Sequence, residues 1–198
     1  MKRPIMLWIT SRSRSSMVSN IFIHHGVWWG DTVATQNWVE GGKSKSYISY
    51  ENQNVKKVLM KYKTKHWKKV HLTPVFPVDG FARDLAKILP TNKTWMMKTG
   101  VEYFNAFKEL NPYNIFIKRS PEGVATSLST KRRDVVCKDA YDAAVWRFQY
   151  MNDLQQEYGG VSVNTDKIVE GDFSEMQQAI EYCGLVFDEE SARGAINV

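Results

Sequence analysis

Short apolar runs alternate with helical patterns along this chain. The run Ile5-Met6-Leu7-Trp8-Ile9 has no polar residue, which is typical of a strand buried on both faces. Similar short runs lie at 70–73, 95–97, 115–117 and 161–163. Apolar residues at helical spacing predict helices at 79–89 and 138–158. Further helices are predicted near 17–25 and 101–110, and two more start at Pro121 and Ser174. Because strands alternating with helices form parallel sheets, we predict an α/β fold, a three-layer sandwich with a central parallel sheet flanked by helices.

One segment, 28–50, breaks this alternation and is predicted to be irregular and rich in loops. It holds many Gly, Ser, Thr and Asn residues, with Trp28, Trp29 and Trp38 among them. So long a loop in a compact domain is often functional. A surface excursion held down by its tryptophans explains the pattern equally well, so both interpretations stay open.

Composition narrows the class of protein. The 198 residues are 43% hydrophobic and 24% charged, which suits a single domain over 1–198. Lys+Arg 27 against Asp+Glu 21 gives a net charge of +6, which favours anionic partners. Cys137 and Cys183 have no metal or redox spacing and indicate reduced core thiols in a cytoplasmic protein. The first apolar run is too short for a signal peptide, and we expect no membrane span.

The first predicted strand runs directly into Ser11-Arg12-Ser13-Arg14-Ser15-Ser16 and then a helix. A helix N-terminus offers unpaired N–H groups and the positive end of a dipole, so it suits an anion. Serine hydroxyls and two guanidinium groups add donors at the same place. The alternative is a serine-rich helix cap with solvated arginines. The segment lacks the Gly-Lys-Ser/Thr ending of nucleotide kinases.

A second candidate for anion binding follows the strand at 115–117. Arg119 lies at the strand end, and Ser127 lies eight residues later, one to two turns into the next helix. That spacing can bring both side chains to one anion. Taken alone the signal is weak, since an arginine at a strand end is usually solvated.

Together these segments resemble the family of sulfotransferases that use 3′-phosphoadenosine 5′-phosphosulfate (PAPS). The family's first motif, roughly Pro-Arg-Ser-Gly-Thr-Thr, resembles 11–16, and its second, Arg-x-Pro-x-x-x-x-x-Ser, matches Arg119, Pro121 and Ser127. Further similarities follow in chain order at 26–31, the glycine turn of many bacterial members, and at 95–98, 164–169 and 182–185. The chain departs from the family at Ser11, where the motif has proline, and at Arg14, where it has glycine.

The resemblance implies a P-loop-like fold and sulfuryl transfer from PAPS, as co-substrate, to a hydroxyl or amine acceptor. It assigns the 5′-phosphosulfate to Arg12, Ser13, Ser15 and Ser16, and the 3′-phosphate to Arg119 and Ser127. Arg14 either reaches into the site as a second anion ligand or marks a distorted loop. Lys98 either assists at the sulfuryl group or forms a salt bridge.

The general base that the acceptor needs is less well indicated. Asp31 is the first candidate, because some relatives place an acidic base after the corresponding glycine, although it would also suit a turn. The other candidates are His24, His25, Glu51 and His71. No metal is expected, since the four histidines make no recognisable ligand spacing.

Other functions remain open. Seven lysines between 56 and 69, with Tyr62, His66 and Trp67 among them, could form a nucleic-acid surface, but a solvated helix face is the commoner explanation. The same lysines would suit an acidic acceptor such as a polysaccharide. A nucleotide kinase of the same architecture and a catalytically silent nucleotide-binding module are the two rival functions.

Overall fold

The structure is a computed structural model that describes residues 2–30, 35–40, 43–48, 52–62, 78–131 and 137–196. Its centre is a sheet of four parallel strands: β1 (Ile5–Ile9), β4 (Met96–Gly100), β5 (Tyr113–Lys118) and β6 (Val161–Asn164). Their spatial order is β4-β1-β5-β6. Ile5 lies opposite Met96 on one side and Tyr113 on the other, and Ile115 lies opposite Val161. All neighbouring strands are therefore parallel, as the sequence pattern predicts.

The helices that connect and follow these strands are, in chain order, α1 (Ser15–His24), α2 (Gln53–Tyr62), α3 (Val78–Ala86), α4 (Phe104–Phe107), α5 (Pro121–Lys131), α6 (Cys137–Tyr158), α7 (Thr165–Val169), α8 (Ser174–Tyr182) and α9 (Glu189–Ile196). Two 3₁₀ turns, Val101–Tyr103 and Lys108–Leu110, flank α4. An antiparallel hairpin of β2 (Thr35–Glu40) and β3 (Lys43–Ile48) forms a separate two-stranded sheet.

Alternating residues of the central strands enter two different cores. On one face, Ile5 and Leu7 pack with apolar residues of α1, α8 and α9. On the other face, Met6 and Trp8 pack with residues of α2, α3, α4 and α6. β1 is therefore buried on both sides, which is why it can be apolar throughout. The predicted three-layer α/β fold is confirmed.

Two predicted elements differ from those in the structure, and a third cannot be compared with it. The strand expected at 70–73 lies outside the described residues. The segment 28–50, predicted to be irregular, contains the β2–β3 hairpin. In the sequence, the pair Gly41-Gly42 stands between the two strands and is a common hairpin signal. The helix predicted at 101–110 is a succession of 3₁₀, α and 3₁₀ turns. Its buried residues are Val101, Phe104, Ala106 and Phe107, and the last three lie in the single α-helical turn α4.

Cys183 lies in the first of these cores and is a free thiol. Burial raises the pKa of the Cys183 thiol to about 12, so the reactive thiolate is scarce at neutral pH. The expected core position is confirmed for Cys183, whereas the side chain of Cys137 lies outside the described part of the chain.

A buried hydrogen bond joins the two central strands. Trp8 Nε1 donates to Asn114 Oδ1 at 2.9 Å, and both residues are buried. Replacing Asn114 with alanine leaves the indole N–H without its acceptor, so we expect a loss of about 1–3 kcal/mol in the free energy of unfolding. Urea denaturation measures the change. The double variant Trp8→Phe, Asn114→Ala removes both partners. Compared with the two single variants, it should show a non-zero coupling energy. If the losses of the two single variants simply added up in the double variant, the stabilising role of this bond would be contradicted.

Candidate functional site

The carboxyl ends of the parallel strands lie at one edge of the sheet, and the residues singled out from the sequence follow them there. The β1–α1 loop, residues 10–14, leaves β1; Lys98 lies in β4; and Arg119 directly follows β5. In open α/β sheets this edge is where ligands bind. The sheet topology thus gathers segments that are more than 100 residues apart in the sequence.

The β1–α1 loop has an unusual backbone. Arg12 has φ 67° and Arg14 has φ 55°, which is the left-handed region that glycine adopts most readily. For a residue with a side chain this conformation costs about 1 kcal/mol or more. Arg14 therefore keeps a backbone conformation that glycine would favour at this position. Two such residues in one short loop are typical of functional sites.

Two hydrogen bonds join this loop to the segment after β5. Arg12 Nε donates to Ser127 Oγ at 3.0 Å, and Arg119 Nη1 donates to the Arg12 carbonyl oxygen at 3.0 Å. The first bond spans 115 residues of sequence. The two anion-binding candidates are therefore one cluster, in which Arg12, Arg119 and Ser127 lie side by side.

Asp166, at the start of α7, is a member of the cluster that the sequence interpretation did not single out. Its Oδ1 accepts from Arg14 Nη1 at 2.6 Å and lies 3.6 Å from Arg119 Nε, and its Oδ2 accepts from the Ser120 N–H at 3.0 Å. The signal was its position: a carboxylate two residues after the end of β6 lies at the same edge of the sheet as Arg119.

The charged groups of this cluster shift one another's pKa values. Burial is the largest influence on Asp166 and raises the pKa of its carboxyl group, but hydrogen bonds from Ser120 and the charges of Arg14 and Arg119 outweigh it, so the net shift is downward. Burial lowers the pKa of the Arg119 guanidinium, and the nearby charge of Arg14 lowers it further. Arg119 is thus held at an electrostatic cost that a bound anion would relieve.

The side chain of Arg14 has a partner near the end of β6. Its guanidinium binds Asp166, so in this structure it is used within the protein. The backbone at Arg14 nevertheless has the left-handed conformation that suits glycine. The loop is therefore shaped as a glycine loop, and its extra side chain is tied to the end of β6.

The hydroxyl-bearing residues between the end of β1 and the first turn of α1 have different environments. Ser13 is fully buried, and its Oγ has no hydrogen-bond partner among the described residues. The same is true of Thr10 Oγ1, which is buried one residue after β1. The Ser15 carbonyl oxygen accepts from Ser19 Oγ. Ser16 Oγ accepts from Lys98 Nζ at 3.0 Å. Buried hydroxyls without partners are costly, and a ligand at the loop is one way to satisfy them.

Lys98 connects β4 to the first turn of α1. Only 4% of this lysine is exposed, and its ammonium group binds Ser16. A lysine is rarely buried unless it has polar partners. The structure therefore adds a positive charge to the N-terminal end of α1, where the helix dipole is already positive.

The structure removes two of the candidates for the general base. His24 and His25 lie at the far end of α1, about 14 Å along the helix from Ser15. His25 Nε2 accepts from the Asp188 N–H at 3.0 Å, and its Nδ1 lies 2.7 Å from the Ile21 carbonyl oxygen, so this ring holds the C-terminal segment. Asp31, Glu51 and His71 lie outside the described residues.

The charges of the cluster suit a doubly negative ligand. Arg12, Arg14 and Arg119 carry three positive charges against the single negative charge of Asp166. A phosphate dianion would neutralise the remaining charge, and guanidinium groups bind such oxygens well. Across the described ranges, no three His, Cys, Asp or Glu side chains are grouped as a metal site requires.

Gly123 allows Arg119 to take its position. A Cβ atom added at Gly123 would lie 2.8 Å from Arg119 Nε and 2.9 Å from Ser120 Oγ. Any larger residue would push the guanidinium away from its present place. The first turn of α5 therefore needs glycine here because the arginine side chain lies against it.

The left-handed backbone of Arg14 predicts an order of stabilities. Arg14→Gly relieves the backbone strain, whereas Arg14→Ala keeps it, and both lose the same partly exposed ion pair with Asp166. We therefore expect the glycine variant to be more stable than the alanine variant by about 1 kcal/mol, which thermal denaturation can resolve. Equal stabilities, or alanine the better of the two, would contradict this loop conformation.

The lowered pKa of Asp166 predicts how the contribution of this residue depends on pH. A carboxyl group with a lowered pKa stabilises the fold above its unfolded value, near 3.9 for aspartate, and loses that effect as the pH falls. We expect Asp166→Asn to be less stable than the parent at pH 7, with the difference shrinking below about pH 4. Urea denaturation at a series of pH values measures it. A constant difference down to pH 2 would show that Asp166 is not ionised in the native state.

Comparison with known proteins bears on the fold. No protein-family model matches the chain, and no curated protein matches its sequence. Among solved structures, the chain is similar to the sulfotransferase domain of the olefin synthase of Synechococcus PCC 7002, with a TM-score of 0.57. The two share 15% sequence identity, and the match covers 98% of this chain and 77% of that one. The chain has a sulfotransferase-like fold.

A membrane-spanning helix was not expected from the sequence. Among the helices in the described part of the chain, none has the length and apolar character that crossing a bilayer requires.

Proposed function

We propose that this protein is a sulfotransferase that moves a sulfuryl group from PAPS to a hydroxyl or amine acceptor. The observation that carries the proposal is the hydrogen bond from Arg12 to Ser127, with Arg119 bound to the Arg12 carbonyl oxygen. It unites the two segments that resemble the family's 5′- and 3′-phosphate motifs. The sulfotransferase-like fold supports the same assignment.

The residues present fit a nucleotide with a phosphate at each end. Arg119 and Ser127 would bind the 3′-phosphate, and Arg12 would lie between the two anionic groups. The hydroxyls of Ser13, Ser15 and Ser16, with the first N–H groups of α1, would hold the 5′-phosphosulfate. The buried Ser13 Oγ and Thr10 Oγ1, which have no partner in the part of the chain that the structure describes, are donors that such a ligand would satisfy.

When bound, PAPS supplies an activated sulfuryl group whose departure leaves negative charge on the bridging oxygen. In the proposed mechanism Arg12 and Lys98 stabilise that charge from two sides of the α1 N-terminus. Lys98 also holds the Ser16 hydroxyl in place. Asp31 stays the proposed general base for the acceptor proton.

A silent nucleotide-binding module is the second candidate, because Arg14 binds Asp166 rather than pointing freely into the loop. Such a protein would bind the nucleotide without catalysing sulfuryl transfer. Binding and turnover must therefore be measured separately.

The donor class is tested by thermal shift with 3′,5′-adenosine bisphosphate, AMP and ATP. A ligand at 100 times its dissociation constant adds about 2.7 kcal/mol of stability, or roughly 5–10 °C for a chain of this size. We expect the bisphosphate to give the largest shift. Equal shifts from all three would reject the PAPS assignment. Binding of the bisphosphate with no desulfation of PAPS by any acceptor would favour the silent module.

A further inference from the structure

A cleft of about 180 Å³ opens beside Lys98, at the same edge of the sheet as the β1–α1 loop. Its floor is formed by the ends of β1 and β4, and its far wall by one side of α2. The side chains that matter most are Ile9, Lys56, Leu59, Met60, Lys98 and Tyr103. The cleft is separate from the Arg119–Ser127 cluster, which lies on the β5 side of the loop.

The position of the cleft links it to the proposed reaction. Ile9 is the last residue of β1 and directly precedes the loop, and Lys98 both lines the cleft and binds Ser16 in the first turn of α1. A molecule in the cleft would therefore have one end beside the N-terminus of α1. In-line transfer requires the acceptor to approach from such a neighbouring position.

The size of the cleft limits how much of an occupant it can enclose. A cavity of about 150 Å³ in another protein holds one benzene molecule. At about 180 Å³ this cleft has room for one ring with a small substituent. A saccharide chain or a fused-ring molecule would extend well outside it.

The chemistry of the lining limits the occupant further. Ile9, Leu59, Met60, Met97 and Tyr103 present an apolar surface, which suits a ring better than a sugar with a hydroxyl on every carbon. The charged side chains in the lining, Lys56 and Lys98, are both cations. A neutral or anionic molecule is therefore favoured over a cationic one.

The acidity of the acceptor hydroxyl also favours a phenol. The described residues that line the cleft include no carboxylate and no imidazole, and Asp31, the proposed general base, lies outside the described residues. A phenol, with a pKa near 10, gives up its proton about five orders of magnitude more readily than water, with a pKa of 15.7, and a nearby ammonium group helps further. A phenolic hydroxyl beside Lys98 therefore depends less on a general base than an alcohol does.

We propose that this cleft is the acceptor site and that the acceptor is a single-ring phenol, neutral or anionic, with its hydroxyl directed at Lys98. The inference rests on the proposed sulfotransferase function. It narrows the acceptor, which the sequence indicates only as a hydroxyl or an amine, to one chemical class.

The test uses two tryptophan variants of α2. Met60 is 47% exposed and lines the cleft, so Met60→Trp should fill the cleft from its open side without disturbing the core. Asn54→Trp is the matched control, because Asn54 is exposed on the same helix and does not line the cleft. Thermal denaturation checks that both variants are folded.

Binding and transfer are measured separately with four probes: 4-methylphenol, 4-hydroxybenzoate, tyramine and N-acetylglucosamine. Ligand-observed NMR should detect both 4-methylphenol and 4-hydroxybenzoate. Met60→Trp should weaken their binding at least 10-fold, and Asn54→Trp less than twofold. With PAPS present, kcat/KM should be at least 10-fold higher for these two phenols than for tyramine or the sugar.

The outcomes separate this inference from the proposed function. Efficient transfer to the sugar with none to the phenols would overturn the acceptor class and leave the sulfotransferase intact. Phenol binding that Met60→Trp does not weaken would overturn the location. A third outcome is that Met60→Trp abolishes phenol binding while the parent protein does not bind 3′,5′-adenosine bisphosphate. That result would support the cleft as a phenol site and reject PAPS as the donor.

Discussion

Arg12→Ala should lower the rate of sulfuryl transfer by about 100-fold or more. Removing one preorganised charged donor from a site where negative charge develops has an effect of this order. Arg12 also donates to Ser127, and its carbonyl oxygen accepts from Arg119, so it lies between the two phosphate-binding segments. The measurement is the initial rate of 3′,5′-adenosine bisphosphate release from PAPS at saturating acceptor.

The control for this variant is Arg83→Ala, which removes the same charge from an exposed position on α3. It should leave the rate within twofold of the parent. Because the Arg12 carbonyl belongs to the backbone, its bond from Arg119 survives the substitution, and the fold should too. A rate for Arg12→Ala within a few-fold of the parent would remove Arg12 from the mechanism.

Lys98→Met should have an effect of similar size, again about 100-fold or more on the rate. Methionine keeps most of the volume of the buried side chain but loses the ammonium group, so Ser16 loses its donor and the α1 N-terminus loses a positive charge. The expected loss is in kcat, because the charge matters most as the bond to the leaving oxygen breaks. Steady-state kinetics with varied PAPS measure it.

Lys57→Met is the matched control, since Lys57 is exposed on α2 and does not line the cleft. It should leave both kcat and KM within twofold of the parent. If Lys98→Met raised KM and left kcat unchanged, Lys98 would be a binding group and not a catalytic one.

The fold could be predicted because its signals are local. A strand buried on both faces must be apolar at nearly every position, and β1 and β5 show this directly in the sequence. The hairpin at 35–48 was missed because its strands are polar, with only the glycine pair between them as a signal. The helix predicted at 101–110 is interrupted in the structure, with a 3₁₀ turn on each side of α4.

The candidate site could be predicted only in its components. The spacing of Arg119 and Ser127 and the serine-rich loop are local features, but their contact through Arg12 depends on the order of strands in the sheet, with β1 beside β5. The partner of Arg14 depends on the same long-range topology, because Asp166 follows β6 on the far side of β5. No local pattern contains that information.

The central claim is that one 3′-phosphorylated adenine nucleotide binds across the β1–α1 loop and the Arg119–Ser127 pair. Calorimetric titration of 3′,5′-adenosine bisphosphate and of AMP, into the parent and into Ser127→Ala, tests it most directly. Two hydrogen bonds to a charged phosphate are together worth about 3 kcal/mol, so the parent should prefer the bisphosphate about 100-fold. Ser127→Ala should reduce that preference about 10-fold and leave AMP binding unchanged. Equal affinity of the parent for both nucleotides would contradict the claim.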